Sequence, residues 1–310
     1  MILAGPVVAI VGPTASGKSA LAELVAERLG SSVVSVDAMQ VYRGMDVGTA
    51  KTPVVERRVP LLMVDVADVT EEYSVQRFQA DARACADALL AKGHVPVLCG
   101  GTGLYLNAVI DEMRFPHGER AGESRSRWEA FAEERGAEAL HAELARRDAA
   151  SAALIHPHNV RRVVRALEML DEGVSYAAHH AGLHSRAAHY DARVWGLTRD
   201  RQRLYERIDR RVDEMVEAGL VDEVRGLAER GLSRDTSAGQ AIGYKEILDA
   251  LSGACSLEEA IGQVKLRSRR YAKRQLSWFR HDARVRWIDL DETDPEAAAA
   301  RIADEVQRGA

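Results

Sequence analysis

The chain has 310 residues, 46% of them apolar and 29% charged, with 3 cysteines and a net charge of −5. It is too apolar for a disordered chain, and Cys85, Cys99 and Cys255 are too scattered for a disulfide framework or a Cys-rich zinc site. No apolar run approaches the ~18 residues of a membrane span, and Met1 to Gly12 lacks the basic start of a signal peptide, so a cytoplasmic protein is expected.

Pro6 to Val11 is a continuous apolar run ending at a glycine, the pattern of a strand buried on both faces. A loop, Gly12 to Ser16, leads into a helical pattern over Lys18 to Leu29 that Gly30 closes. Strands are predicted at Val33 to Val36, ending at Asp37, and at Leu61 to Val66, which contains Asp65. Phe78 to Leu90 reads as a helix, and Val95 to Cys99 as a strand that runs into Gly100-Gly101-Thr102-Gly103. This alternation argues for a parallel sheet covered on both sides.

Beyond about Arg114 the pattern changes. Pro116 to Arg127 is polar, and the stretch to about Gly182 is Ala-rich and helical. Val194 to Leu197 returns to the sheet, helices dominate afterwards, and Val285 to Leu290 is a last strand. Residues 1–114 and 191–310 are therefore expected to form the core, and 115–190 a helical insertion.

Gly12-Pro13-Thr14-Ala15-Ser16-Gly17-Lys18-Ser19 matches GxxxxGK[ST] in the strand–loop–helix setting that the motif requires. Backbone N–H groups and the helix N-terminus surround phosphate oxygens, the lysine neutralises them, and the final hydroxyl can bind Mg²⁺. The fold class is accordingly α/β, a P-loop NTPase-like parallel sheet flanked by helices. The motif leaves open which phosphate is held.

The charge is unevenly distributed. Gly262 to Arg286 holds nine basic residues and one acid, Asp282, so the remainder of the chain is net acidic. Ile261, Val264, Tyr271 and Trp278 form an apolar stripe on that stretch, which places the two aromatics in the core and the basic residues on the flanks. Positive flanks of this kind suit RNA phosphates. Arg161, Arg162 and Arg165 fall within about 100° of one another on a helix whose buried side is Val160, Val163, Val164 and Leu167. Arg203, Arg207 and Arg211 repeat every four residues, with Asp209 and Asp213 near enough to be ordinary ion-pair partners. His179, His180, His184 and His189 lie close in sequence but have no accompanying Cys pair, so a metal site is not expected there.

Six blocks carry a family resemblance: GPTASGKS (Gly12 to Ser19), Ser35 to Lys51, GGTGLYL (Gly100 to Leu106), HPHNVRRVVRALE (His156 to Glu168), QAIGYKE (Gln240 to Glu246) and YAKRQLSWFR (Tyr271 to Arg280). In this order they closely resemble the bacterial tRNA dimethylallyltransferase (tRNA isopentenyltransferase) family. The resemblance implies transfer of a dimethylallyl group from dimethylallyl diphosphate to N6 of the adenosine 3′ of the anticodon in tRNA. It also implies Mg²⁺ at Ser19, and a phosphate loop that holds the prenyl diphosphate with help from Arg211.

By the same resemblance Asp37 is the base that takes the amine proton, although an Asp here could instead order the Mg²⁺ shell. Thr102 is implied to touch the target nucleotide, or to cap the helix starting near Leu104. The implied tRNA contacts are Asp37, Ala38, Met39, Gln40 and Thr102; Arg125; Arg161, Arg162, Val163, Val164 and Arg165; and Gln240, Ala241, Ile242, Gly243, Tyr244 and Lys245. A monomer is expected. Two departures stand out: Ala38 replaces the usual Ser, and Pro60 to Asp65 lacks a His pair common in relatives. The rival functions are a P-loop kinase of small molecules, a prenyltransferase of free adenine nucleotides and a non-catalytic RNA-binding protein.

Overall fold

In the computed structural model, which describes residues 4–115, 122–182 and 187–308, β1 (Pro6–Val11) passes through the phosphate loop into α1 (Lys18–Arg28) and β2 (Val33–Ser35). Then come β3 (Leu61–Leu62), α2 (Val75–Leu90), β4 (Val97–Gly100) and α3 (Gly103–Ile110). Helices α4 (Glu123–Arg147), α5 (Ala149–Leu154), α6 (Val160–Asp171) and α7 (Tyr176–Gly182) follow. The chain continues with β5 (Asp191–Thr198), α8 (Arg201–Glu217), α9 (Leu220–Glu229), α10 (Tyr244–Leu251), α11 (Leu257–Arg280), β6 (Val285–Asp289) and α12 (Pro295–Arg308). Residues 116–121 of the expected polar stretch, and His184, lie outside the described residues.

The six strands form one sheet in the order β3-β2-β4-β1-β5-β6, with every pairing parallel. Side chains alternate across a strand, so β1 sends Val7, Ala9 and Val11 into one apolar layer and Val8 and Ile10 into the other. The first layer is closed by Phe78 of α2, Leu106 of α3, Val224 of α9 and Tyr244 of α10. The second is closed by Leu21 and Val25 of α1 with Ile302 and Val306 of α12. Burial on both faces is why these strands read as unbroken apolar runs.

The strand order positions the chemistry. Because β4 lies between β1 and β2, the carboxyl ends of three neighbouring strands deliver the phosphate loop, Gly100 to Thr102 and Asp37 to one edge. In open parallel sheets that edge is where ligands bind.

One strand expectation is corrected. The ladder at β3 stops after Leu62 rather than reaching Val66, because Met63 and Asp65 take positive φ values of 61° and 59° and turn the chain away. Asp65 Oδ1 then meets Lys51 Nζ at 2.6 Å. Among the described residues no helix is long and apolar enough to cross a membrane.

The chain divides into two units, Met1–Asp111 with Ala188–Ala310, and Glu112–Ala187. The second has its own core of Trp128, Leu140, Leu144, Ile155, Val163, Val164 and Leu167. Asp171 knits its surface: it accepts from Trp128 Nε1 at 2.8 Å and from Ser124 Oγ, and pairs with Arg127 at 2.6 Å and Arg147 at 2.8 Å.

Candidate active site

A cavity of about 360 Å³ opens at the loaded edge of the sheet. Thr14, Lys18 and Ser19 of the phosphate loop line it, with Asp37 to Gln40, Thr102, Arg211 and Gln240 to Tyr244. Residues up to 261 positions apart in the chain, Thr14 and Gln275, are thus assembled in one space. A second cavity of about 740 Å³ reaches the same loop and shares Lys18, Ser19, Arg211 and Met215 with the first. Ala15, Gly17, Arg207 and Arg210 also line the second.

The phosphate loop is held by groups that its motif does not contain. Arg207 Nε donates to the Ala15 carbonyl at 3.0 Å, and Arg199 Nε to the Ser16 carbonyl at 3.0 Å. Gln275 of α11 accepts the Thr14 N–H at 2.9 Å and donates to the Gly101 carbonyl at 3.0 Å, tying the loop to the end of β4. Gln275 was not singled out in the sequence, yet a glutamine at a core position of an apolar helical stripe is the signal that marks it.

Two cations at the loop have no carboxylate within ion-pair distance among the described residues. Among the described residues the hydrogen bond of Lys18 Nζ goes to the Pro13 carbonyl, at 3.3 Å. Burial pulls its pKa below the ordinary lysine value, with Cys99 and Asp37 opposing and Arg211 reinforcing the shift. Burial also lowers Arg211, against the pull of Asp37. The expected competition from Asp209 and Asp213 does not occur, because α11 takes both: Arg269 meets Asp209 at 3.2 Å and Lys265 meets Asp213 at 2.6 Å. Ser16 Oγ, fully buried in the loop, has no hydrogen-bond partner among the described residues. Desolvated cations and an orphaned hydroxyl fit a missing anion.

Across the cavity, Asp37 Oδ1 accepts the Met39 N–H at 2.9 Å, which leaves Oδ2 without a protein donor among the described residues. Thr102 Oγ1 accepts the Ala38 N–H at 3.3 Å, tying the two strand ends together, and makes no side-chain cap on α3. The Tyr271 hydroxyl interacts with Thr102 and Gln275. Its burial raises its pKa, so it stays protonated as a donor at neutral pH.

The Val36 to Lys51 segment is braced from two sides. Glu223 of α9 accepts the N–H groups of Asp46, Val47 and Gly48 at 2.9, 2.7 and 3.1 Å, and the Tyr244 hydroxyl at 2.6 Å. The Tyr244 ring lies so close to Gly48 that a Cβ there would come within 2.6 Å of it. Lys51, buried, reaches the Tyr42 carbonyl at 2.6 Å and Asp46 at 2.8 Å as well as Asp65.

Several expected contacts have other work. Tyr244 is fully buried and acts as this strut, and Ala241 is also buried. The Gln240 amide is spent on the Arg234 carbonyl and on Lys245 Nζ at 3.4 Å. In the second unit Val163 and Val164 are core, so they offer RNA no surface. Arg165 pairs with buried Glu168 at 2.9 Å, and Arg125 with Glu129 at 3.0 Å. Arg161 and Arg162 are exposed and unpaired among the described residues. The two aromatics of the α11 stripe are not core either: Tyr271 lines the cavity, and Trp278 is 45% exposed.

A parallel sheet with a phosphate loop at its central strand, faced by a carboxylate and a threonine from neighbouring strand ends, defines a phosphate-loop α/β protein. Residues 40–282 match the IPP transferase family, and residues 5–58 match the isopentenyl transferase family. The chain is 46% identical to the tRNA dimethylallyltransferase of Geobacillus kaustophilus, over 99% of this chain and 96% of that one. Among solved structures it resembles the full-length tRNA isopentenylpyrophosphate transferase of Bacillus halodurans, with 46% identity, TM-score 0.71, and 97% and 95% of the two chains covered. It also resembles a eukaryotic dimethylallyltransferase captured acting on tRNA, with 26% identity, TM-score 0.80, and 98% and 80% covered. The chain belongs to the IPP transferase family.

Two outcomes follow from the geometry. Glu223→Ala removes the acceptor of three backbone N–H groups and is expected to cost about 1–3 kcal/mol in urea unfolding, with Glu223→Gln recovering part of it. Cys99 is buried in the cavity wall, and that burial pushes its thiol up to about 12. The thiol therefore stays protonated through the pH range where an ordinary cysteine ionises. Iodoacetamide at pH 9 should label half-buried Cys255 and spare Cys99, as peptide mass spectrometry would show.

Proposed function

We propose that this chain transfers a dimethylallyl group from dimethylallyl diphosphate to N6 of the adenosine 3′ of the anticodon in tRNA, releasing diphosphate. What carries this reading is the pairing of an uncompensated cationic phosphate loop with a carboxylate in the same cavity. Family membership says what the two are for.

Lys18, Arg211 and the loop N–H groups that Gln275 leaves free would bind the diphosphate and take up the charge that grows on it as the allylic C–O bond breaks. The prenyl carbons would rest on Ile208, Val212 and Met215 of the cavity wall. The adenine amine is a weak nucleophile, because its lone pair is delocalised into the ring. As the new C–N bond forms, Asp37 Oδ2, the oxygen not engaged with Met39, accepts the N6 proton. Thr102 and the Tyr271 hydroxyl orient the base.

Mg²⁺ fits this site only in part through protein oxygens. Ser19 offers a hydroxyl to the cavity, and among the described residues no group of three His, Cys, Asp or Glu could hold an ion unaided. Ser19 would therefore hold the ion together with the diphosphate oxygens and water, and the bound ion would neutralise the leaving group. Arg161 and Arg162 on α6 would contribute phosphate contacts. The chain would act on tRNA as a monomer in the cytoplasm.

The test is single-turnover reaction of the purified protein with Mg²⁺, dimethylallyl diphosphate and unmodified tRNA, followed by nucleoside mass spectrometry. Adenosine heavier by one C5H8 unit is the expected product. Asp37→Asn should slow its formation by about 10²–10⁴-fold while leaving diphosphate binding intact. Absence of the product, with ATP consumed on a small molecule instead, would replace this reading with the kinase.

A further inference from the structure

Glu23 of α1 is only 9% exposed, yet its carboxylate makes no hydrogen bond or ion pair among the described residues. It lines the same cavity as Lys18, Ser19 and Asp37. A residue four positions after Ser19 stands on the same face of the helix, with about 5–6 Å between the two Cβ atoms, so the carboxylate follows the hydroxyl along one wall. Around it that wall is apolar, made by Val33, Leu61 and Cys99. An ionised carboxylate in such surroundings is costly until a cation or a donor comes to it.

The neighbouring groups say which cation that is. Glu23 does not serve Lys18, because the charges that act on the lysine are those of Cys99, Arg211 and Asp37. It stands instead with Ser19 and Asp37 around Cys99. Burial is the main cause of the raised Cys99 pKa, while Lys18, Asp37 and Glu23 act on the thiol through their charges and Ser19 hydrogen-bonds it. One hydroxyl and two carboxylates, from α1 and the end of β2, therefore gather about one point. They do not close on an ion unaided, since among the described residues no group of three His, Cys, Asp or Glu could hold one. Mg²⁺ bound to a phosphate keeps several waters, and those waters need acceptors. Asp37 has Oδ1 on the Met39 N–H, which leaves a single oxygen for two tasks, ordering that water and taking the amine proton. Glu23 has both oxygens to give.

We infer that Glu23 is a positioning residue for Mg²⁺, accepting hydrogen bonds from the water that completes the shell of an ion held by Ser19 and the diphosphate, and so leaving Asp37 Oδ2 to the amine proton. This rests on the diphosphate and Mg²⁺ reading above and adds to it a second acid with a task of its own.

The experiment uses the purified full chain. It measures calorimetric binding of inorganic diphosphate with and without Mg²⁺, and the Mg²⁺ dependence of single-turnover prenyl transfer. Glu23→Gln keeps the shape and removes the charge. It should weaken the Mg²⁺-dependent part of diphosphate binding about tenfold, and raise the Mg²⁺ needed for half-maximal rate by as much. Thermal stability and diphosphate binding without Mg²⁺ should change little, and the rate at saturating Mg²⁺ should fall far less than the affinity. Glu23→Met, which fills a similar space, should behave alike. Asp37→Asn should do the reverse, lowering the rate at every Mg²⁺ concentration without moving the midpoint. An unmoved midpoint in both Glu23 variants, with wild type active, would overturn the role of Glu23 and leave the prenyl transfer standing. So would a midpoint moved by Asp37→Asn instead, or a loss of stability at unchanged Mg²⁺ affinity. A wild type whose diphosphate binding is indifferent to Mg²⁺ would overturn both this inference and the placing of the ion at Ser19.

Discussion

Two positive charges held at the carboxyl edge of a parallel sheet, with no carboxylate in ion-pair reach among the described residues, set the terms for the rest of this molecule. Lys18 and Arg211 are desolvated by the fold, and the nearby acids Asp209 and Asp213 are drawn off by α11. Burying a cation without a partner is costly, and a bound diphosphate would relieve that cost.

The surroundings keep that arrangement rigid. Gln275 fixes the phosphate loop against the end of β4, Arg199 and Arg207 grip its carbonyls, and Glu223 with Lys51 freezes the segment that carries Asp37 to Gln40. Few of these groups face the substrate. On the proposed reaction, their work would be to hold Asp37 Oδ2 opposite the diphosphate, so that little reorganisation is left for the moment of reaction.

Much of this was legible in the sequence where the cause is local. The phosphate loop is a contiguous backbone conformation written in glycines, a lysine and a serine, and the buried strands announce themselves as apolar runs. Asp37 and Thr102 were legible as residues at strand ends, the edge where parallel sheets bind ligands. What escaped depends on partners distant in the chain. More than half of the basic window at 262–286 is neutralised by acids at 111, 209, 213, 246 and 305, which no spacing rule discloses. Tyr244 belonged to a block of implied RNA contacts but is consumed as a strut, because Gly48 gives its ring a place to sit. Trp278 fell on an apolar stripe, yet the stripe runs past the end of the core. From the block that lacks the His pair, Leu61 lines the cavity.

The central claim is that the phosphate loop with Arg211 is a diphosphate cradle for a prenyl donor rather than a nucleotide site. Calorimetric titration of the purified protein, in the presence of Mg²⁺, with dimethylallyl diphosphate and separately with ATP tests this most directly. Dimethylallyl diphosphate should bind the more tightly, and Arg211→Ala should weaken it by at least tenfold. Tighter binding of ATP, or prenyl diphosphate binding that is indifferent to Arg211, would contradict the account.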